Sequence, residues 1–187
     1  MGKIIVSEFV SLDGVMEAPG GEPGFRHGGW VMKYPDQAWL GYKLAEVRAH
    51  GALLIGRRTY ESFAAAWPSR TGEFADKMNS MPKFVASTTL KKASWNNTTI
   101  INGDVAEAAA RLKKEFAGDI LVAGSRTLVN TLRSSGLVDE YRLLVFPVIL
   151  GSGKRLFEEY PEAAALKLVE ARKLGADTAL LTYRPNN

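Results

Sequence analysis

Two places in the sequence combine an apolar strand, a glycine and an arginine-bearing helix start, and this repeated junction restricts the possible folds. "LLIGRRTYESF" covers residues 53–63, and "DILVAGSRTLVNTL" covers residues 119–132. In each segment an apolar run ends at a glycine, Gly56 or Gly124, and an amphipathic helical pattern follows. Strands that alternate with helices in this way pair in parallel within an α/β sheet.

Other segments extend this α/β pattern. Further strands are predicted at 3–10, 83–88 and 98–102. Helices are predicted to follow the capping residues Asp36 and Asp104. In the first of these helices, the spacing of Leu40, Leu44 and Val47 predicts the buried face.

The last third of the chain has a different pattern. The segments "EYRLLVFPVIL", "ALKLVEARKL" and "DTALLTYRP" are strand-like and have no helical pattern between them, which predicts antiparallel pairing at one side of the sheet. A chain of 187 residues has the size of one domain. We therefore predict a single α/β domain over residues 1–187, with three α/β/α layers and a mixed, mostly parallel central sheet.

The segment "SLDGVMEAPGGEPGFRHGGW", residues 11–30, predicts a long glycine-rich loop directly after the first strand. Loops longer than about 12–15 residues within a compact domain are usually functional or disordered. We expect this loop to be mobile and to belong to the functional site.

Composition excludes several classes of function. The 24 basic and 20 acidic residues give a net charge of +4 without a basic stripe, so no nucleic-acid partner is expected, whereas a small anionic ligand is. The chain has no cysteine and only two histidines, His27 and His50, so no metal site is expected. No apolar run approaches the length of a membrane span or signal peptide, and we expect a cytoplasmic protein without a membrane partner.

The two strand–glycine–helix junctions are candidate phosphate sites. A helix N-terminus presents unpaired N–H groups and partial positive charge, and glycine lets an anion approach closely. Because ligands of α/β sheets bind beyond the carboxyl ends of the strands, two such junctions on one edge could hold the two ends of a dinucleotide. Taken singly, each junction is more often an ordinary capped helix start with a solvated arginine, and it is the pair that favours a phosphate site.

Three further groups of residues have both a structural and a functional interpretation. Ser87 and Thr88 follow a strand and could bond a ribose or its phosphate, or begin a polar turn. Asp13 could contact a substrate or hydrogen-bond within its own turn before Gly14. "ILGSGKRLF", residues 149–157, satisfies neither the Rossmann nor the Walker glycine pattern. Its Gly151 and Gly153 predict mainly a sharp turn, with contact to a neighbouring ligand as the alternative.

Five motifs together resemble the dihydrofolate reductase-like superfamily. They are "SLDG" at 11–14, "IGRRTYESF" at 55–63, "VAST" at 85–88, "LVAGSRTLV" at 121–129 and "GLVDEYRLLVFPVILGSGKRLF" at 136–157. The chain is most similar to the branch that contains the reductase domain of bacterial riboflavin biosynthesis, the RibD C-terminal domain, and to its stand-alone members. The resemblance spans essentially the whole chain.

The resemblance implies NADPH as cofactor and a small molecule as substrate. By position it places the phosphates at Gly56, Arg57, Arg58 and Thr59, the adenosine side at Ser87 and Thr88, and the pyrophosphate at Gly124, Ser125, Arg126, Thr127 and Leu128. It places the nicotinamide near Val6 and Ser7, and the substrate under Asp13 and Trp30. Paired arginines suit the 2′-phosphate of the cofactor, because guanidinium groups bind phosphate through two parallel hydrogen bonds.

The chain departs from the resembled families at two positions. Leu40 stands where dihydrofolate reductases carry a helix carboxylate, and Asp36 lies one turn earlier. Ala123 stands where the riboflavin branch usually has a glutamate. Folate reduction needs a proton as well as a hydride, so the first departure makes folate an unexpected substrate.

The resemblance implies three possible functions. The first is an NADPH-dependent reductase of 5-amino-6-(5-phosphoribosylamino)uracil, in riboflavin biosynthesis, with Lys154 and Arg155 near the substrate phosphate. The second is a pterin, dihydrofolate-like or other small-carbonyl reductase, and the third is an NADP(H)-binding module without catalysis. The apolar strands late in the chain also predict a homodimer formed through a sheet edge.

Overall fold

A computed structural model describes residues 2–159 and 163–186 of the chain. One eight-stranded sheet lies at its centre. Its strands are β1 (Ile4–Ser11), β2 (Ala52–Gly56), β3 (Lys83–Ala86), β4 (Thr98–Ile101), β5 (Ile120–Val122), β6 (Glu140–Phe146), β7 (Leu166–Leu174) and β8 (Thr178–Pro185). The α-helices are α1 (Gln37–Ala49), α2 (Arg57–Ala66), α3 (Glu73–Ser80), α4 (Val105–Glu115) and α5 (Arg126–Ser134).

The strands lie in the order β4-β3-β2-β5-β1-β6-β8-β7. The first six strands of this order pair in parallel, whereas β8 pairs antiparallel with both β6 and β7. This arrangement confirms the predicted mixed, mostly parallel sheet with its antiparallel part at one side.

The strand order creates a crevice between β1 and β5. After β1 the chain continues through α1 to β2 on one side, and after β5 it continues through α5 to β6 on the other side. Neighbouring strands whose connections leave in opposite directions form the crevice in which α/β proteins bind ligands. The pairing of β1 with β5 ends at Val6 and Val122, so the two chain segments separate beyond these residues.

Apolar side chains pack on both faces of the sheet and attach the two helical layers. On one face, Val6 of β1 belongs to a buried cluster with Ala109 of α4 and Leu132 of α5. On the other face, Trp39 of α1 packs with Phe146 of β6. The helices therefore lie on both faces, which gives three layers.

The predicted buried face of α1 is wrong at Leu40, which is 40% exposed. The helix instead buries Trp39, Lys43, Glu46 and Val47. Lys43 and Glu46 are buried because they form an ion pair, 2.5 Å between Nζ and Oε2, above the sheet. A prediction that assigns charged residues to the solvent side necessarily selects another face of this helix.

The two ends of the loop after β1 are packed against the protein, whereas most of residues 20–28 are exposed. Trp30 is 1% exposed, and its indole N–H donates to the carbonyl of Glu17. The backbone N–H of Met16 donates to the carbonyl of Lys154, at 2.9 Å. Trp30 therefore belongs to the core, and its expected position over a substrate is wrong.

The short helix α3 was not predicted from the sequence. Its eight residues bury only Ala75 and Met78, and it begins after Gly72 without a side-chain cap. Its C-terminal end is stabilised by Lys83 of β3, whose buried ammonium donates to the carbonyls of Met78, Asn79 and Met81. These are tertiary contacts, which local periodicity does not encode.

Within residues 2–159 and 163–186, no helix combines the length and the apolar character that crossing a membrane requires. The same residues contain no cluster of three or more histidine or acidic side chains arranged to hold a metal ion.

Candidate functional site

The two predicted junctions touch each other at the carboxyl ends of β2 and β5. These strands are direct neighbours, and the Gly56 N–H points at the Gly124 carbonyl oxygen, 3.4 Å away. A methyl group on Gly56 would collide with the Ser125 hydroxyl, and one on Gly124 would lie 2.5 Å from the Thr59 hydroxyl. Both positions therefore require glycine for this close approach.

The helices that start at these junctions lack side-chain caps. Asp36 and Asp104 cap α1 and α4 through side-chain hydrogen bonds, whereas no side chain of residues 2–159 or 163–186 caps α2 or α5. The N-termini of α2 and α5 thus bring uncapped donors and partial positive charge to one place. This geometry fits the pyrophosphate of a dinucleotide, which would accept hydrogen bonds from both helix starts.

The three arginines at the junctions have different surroundings. Arg57 pairs with Glu61 at 2.8 Å, and the Arg126 Nε lies 3.0 Å from a carboxylate oxygen of Glu158. Arg58 is exposed and forms no ion pair with a residue in the described part of the chain. Of the three, Arg58 is the guanidinium most available to a phosphate.

Ser87 and Thr88 lie beside the first junction. Strand β3 pairs with β2 so that Ala86 is the partner of Gly56, which places Ser87 one residue further along the same edge. The Ser87 hydroxyl oxygen accepts the N–H groups of Thr89 and Leu90, at 3.2 and 2.8 Å. Ser87 therefore begins a polar turn, as its structural interpretation predicted, and Thr88 is exposed.

Three further predicted cofactor positions differ in accessibility. Thr127 is exposed in the first turn of α5, whereas Leu128 is 4% exposed and packs in the core. Val6 is fully buried, with sheet partners Val122 and Tyr141. The Val6 side chain thus lies beneath the crevice between β1 and β5 instead of forming its open surface.

Asp13 connects the loop after β1 to the turn after β6. Its carboxylate accepts the Ser11 hydroxyl at 2.6 Å and the N–H groups of Leu150 and Gly151 at 3.1 and 2.9 Å. The Ser11 hydrogen bond, aided by these two backbone donors, lowers the pKa of Asp13 to about 2. Asp13 is therefore ionised near neutral pH and holds two loops together.

The predicted turn at 149–157 packs against the loop that follows β1. A methyl group on Gly153 would collide with Val15 and Phe25. Lys154 pairs with Glu17 at 2.9 Å, while the exposed Arg155 donates from Nε to the carbonyl of Asp13. Of the two basic residues expected near a substrate phosphate, Arg155 has no carboxylate partner among the described residues.

The residue that sequence analysis missed is Glu8. It lies on β1 opposite Gly124, where β1 and β5 separate, and its Oε1 accepts the Gly124 N–H at 2.5 Å. Glu8 is 7% exposed, and burial raises its pKa to about 8 against the opposing effects of this hydrogen bond and Lys43. A single glutamate within the apolar strand "IIVSEFV" was the available signal, because unpaired acidic residues are rarely buried.

A second buried polar cluster lies on the other face of β1. Glu46 accepts hydrogen bonds from Ser7 at 2.7 Å, Lys43 at 2.5 Å and Arg142 at 3.3 Å. Burial alone would raise the pKa of Glu46, but Lys43, Ser7 and Arg142 together lower it. Glu46 is therefore an ionised and fully paired carboxylate, unlike Glu8.

The chain is similar in sequence to a known protein family and to two known proteins. Residues 2–180 match the RibD C-terminal domain family. The uncharacterised Bacillus subtilis (strain 168) protein YyaP is 29% identical over 98% of this chain and 95% of its own. The uncharacterised protein YwjB of the same organism is 28% identical over 92% of both chains.

Two solved structures have the same fold. A candidate riboflavin biosynthesis protein from Shewanella sp. PV-4 superposes with a TM-score of 0.77 and 21% identity over 99% of both chains. Acinetobacter baumannii RibD superposes with a TM-score of 0.67 and 17% identity over all of this chain and 59% of its own. These similarities confirm the predicted dihydrofolate reductase-like fold.

Proposed function

The chain belongs to the RibD C-terminal domain family, and from this premise we propose that it is an NADPH-dependent reductase of the riboflavin-pathway type. Its substrate would be 5-amino-6-(5-phosphoribosylamino)uracil, in which reduction of the ring-opened imine at C1′ converts the ribosyl group to a ribityl group. When bound, NADPH supplies the hydride for this chemistry. The protein's contribution is to bind and orient the two molecules.

The observation that carries the proposal is the meeting of two uncapped helix N-termini at Gly56 and Gly124. In the proposed complex, the first-turn N–H groups of α2 and α5 donate to the cofactor pyrophosphate. The two glycines keep side chains out of the space that the phosphates require. The crevice between β5 and β1, next to this cradle, would receive the nicotinamide.

The adenosine 2′-phosphate would lie near Arg58, which is free of carboxylate partners in the described structure. Thr88, exposed at the neighbouring strand end, adds a hydroxyl donor. An arginine in this position makes the protein prefer NADPH to NADH, because only the former carries this phosphate.

The substrate phosphate would bind at Arg155. Its guanidinium is oriented by the hydrogen bond to the Asp13 carbonyl and is exposed. Asp13 contributes by holding its loop in place and not by contacting the substrate. Its carboxylate already accepts hydrogen bonds from the Ser11 hydroxyl and two backbone N–H groups.

Folate reduction, which needs the helix carboxylate of dihydrofolate reductases, is less compatible with this site than reduction of the aminouracil ribose phosphate. Leu40 is exposed, and Asp36 is used to cap α1 and to accept the Ala176 N–H. Neither residue offers an acid to a ring nitrogen in the crevice.

Calorimetric titration with NADPH and NADH, followed by measurement of NADPH oxidation, tests the proposal. NADPH is expected to bind more tightly than NADH and to be consumed with the aminouracil ribose phosphate. Turnover only with pterins or small carbonyl compounds would replace the substrate assignment. Binding without any turnover would favour an inactive NADP(H)-binding module, and the absence of NADPH binding would refute all three functions.

We also propose that the chain forms a homodimer through β7. This edge strand exposes both of its faces from Leu166 to Lys173, including the apolar residues Leu166, Leu168 and Val169 at 38%, 51% and 45% exposure. An edge strand with apolar side chains is a liability unless it is covered. A second copy of the chain would cover it.

A further inference from the structure

Glu8 lies beside the crevice between β1 and β5, where the nicotinamide is proposed to bind. Parallel pairing of β1 and β5 ends at Val6 and Val122, and Glu8 is the β1 residue opposite Gly124. Gly124 is also the glycine of the phosphate cradle. Glu8 therefore lies next to the proposed pyrophosphate site, where β1 and β5 separate.

The hydrogen bonding of Glu8 leaves one carboxyl oxygen without a protein partner. Its Oε1 accepts the Gly124 N–H, and no described residue donates to or accepts from its Oε2. The charged groups that act on it from the packed elements are Lys43 and Glu46 of α1, whose effects oppose each other, and these two residues are bonded to each other at 2.5 Å. Burial without a counter-ion keeps the Glu8 carboxyl in its protonated form at neutral pH, because its pKa is raised to about 8.

Other side chains near the site are unsuited to donating a proton. Asp13 is ionised and fully hydrogen-bonded, and Ala123 has no functional group. His27 lies in the exposed part of the loop and contacts Arg26. His50 is buried at the C-terminal end of α1, where its Nδ1 contacts the Glu46 carbonyl.

We propose that Glu8 is the proton donor of this reductase, with Oε1 fixed by the Gly124 N–H and the proton carried on Oε2 toward the crevice. This inference rests on the proposed function. Reduction of a C=N or C=O bond adds a hydride to carbon and a proton to the nitrogen or oxygen. The hydride comes from the nicotinamide cofactor, and Glu8 supplies the proton and is then reprotonated from solvent.

The test compares Glu8→Gln with the wild type. Glutamine keeps an oxygen that accepts the Gly124 N–H, and it is neutral, but it has no transferable proton. The expected result is a decrease in kcat by about 10²–10⁴-fold with an unchanged affinity for NADPH. The fall in wild-type kcat at high pH should disappear in the variant, and Glu8→Asp should recover part of the activity. Glu115→Gln, an exposed change on α4, is the matched control and should behave as the wild type.

A second measurement does not depend on turnover. Infrared difference spectra of protein with ¹³C-labelled glutamate should show a protonated carboxyl at neutral pH that is absent from Glu8→Gln and that shifts when NADP⁺ binds. An ionised Glu8 at neutral pH, or a Glu8 band that NADP⁺ leaves unchanged, would overturn the proposal.

The two experiments also separate failure of this inference from failure of the proposed function. If NADP⁺ does not bind by calorimetry, both are wrong. If the wild type turns over and Glu8→Gln has the same kcat, Glu8 only positions Gly124 and the proton comes from another group. If NADP⁺ binds but no substrate of the panel turns over, the infrared result decides whether Glu8 holds the proton.

Discussion

Gly124 lies directly against Thr59, so that a methyl group at position 124 would come within 2.5 Å of the threonine hydroxyl. The two residues belong to different strand–helix junctions, and their contact joins the N-terminal ends of α2 and α5 into one surface. Two sequence motifs separated by a long stretch of chain thereby form one surface, where we propose that the cofactor phosphates bind.

Gly56→Ala should weaken NADPH binding by about tenfold or more, because the new methyl group collides with the Ser125 hydroxyl and displaces the start of α5. Calorimetric titration measures the affinity, and circular dichroism checks that the variant is folded. Gly41→Ala is the control, since a methyl group there meets open space on α1 and should leave binding unchanged. Equal affinities of both variants would contradict the phosphate cradle.

Arg58→Ala should reduce the affinity for NADPH by about tenfold or more and leave that for NADH nearly unchanged, because only NADPH carries the 2′-phosphate. Titrations with both nucleotides measure the ratio. Arg111→Ala removes an exposed arginine from α4 and controls for the loss of one positive charge. A parallel loss for NADPH and NADH would place Arg58 away from the 2′-phosphate.

Asp13→Ala should lower the free energy of unfolding by about 1–2 kcal/mol at neutral pH, because the N–H groups of Leu150 and Gly151 lose their acceptor. The pKa of Asp13 is lowered from 3.8 to about 2, so its contribution is present above pH 3.8 and is lost as the pH falls through about 2. Urea unfolding at neutral and acidic pH measures this difference. Asp177→Ala, at an exposed turn, should have little effect at either pH.

Glu8→Gln should be more stable than the wild type at high pH. Below pH 4.5 Glu8 is protonated in both the folded and the unfolded chain, so the two proteins should have similar stabilities. Between pH 4.5 and about 8 the unfolded chain releases a proton that the folded chain keeps, and wild-type stability falls as the pH rises. The advantage of the variant should reach about 2–4 kcal/mol near pH 9. A pH-independent difference in urea unfolding would show that Glu8 does not retain its proton.

Leu168→Lys should convert the proposed homodimer to a monomer, because it places a charge in the apolar centre of the β7 edge. Analytical ultracentrifugation measures the mass of the particle. Thr99→Lys makes the matched change on β4, the strand at the opposite edge of the sheet. A wild-type monomer, or a dimer that only Thr99→Lys disrupts, would rule out pairing through β7.

Much of the fold could be predicted because local patterns encode it. The caps Asp36 and Asp104 marked the starts of α1 and α4, and the antiparallel strands at the end of the chain were recognised from the lack of intervening helices. Prediction failed where polar residues are inside the protein, as at Lys43 and Glu46, and where a glycine-rich loop is packed around Trp30. Lys43 and Glu46 pair with each other within one helical turn, but Glu46 also bonds Ser7 and Arg142, which are distant in sequence. Trp30 likewise packs against the distant Phe146.

The sequence by itself determined most of the strands and helices, with α3 as an exception, and it placed Gly56 and Gly124 between each strand and its helix. Periodicity and glycine positions carry this information, because they act within a few residues of the backbone. Only the tertiary structure decided that these junctions touch and that Glu8 faces Gly124, a residue 116 positions away. The order of strands in the sheet sets such contacts. Burial of Glu8 between β1 and β5 raises its pKa to about 8 and so keeps it protonated at neutral pH.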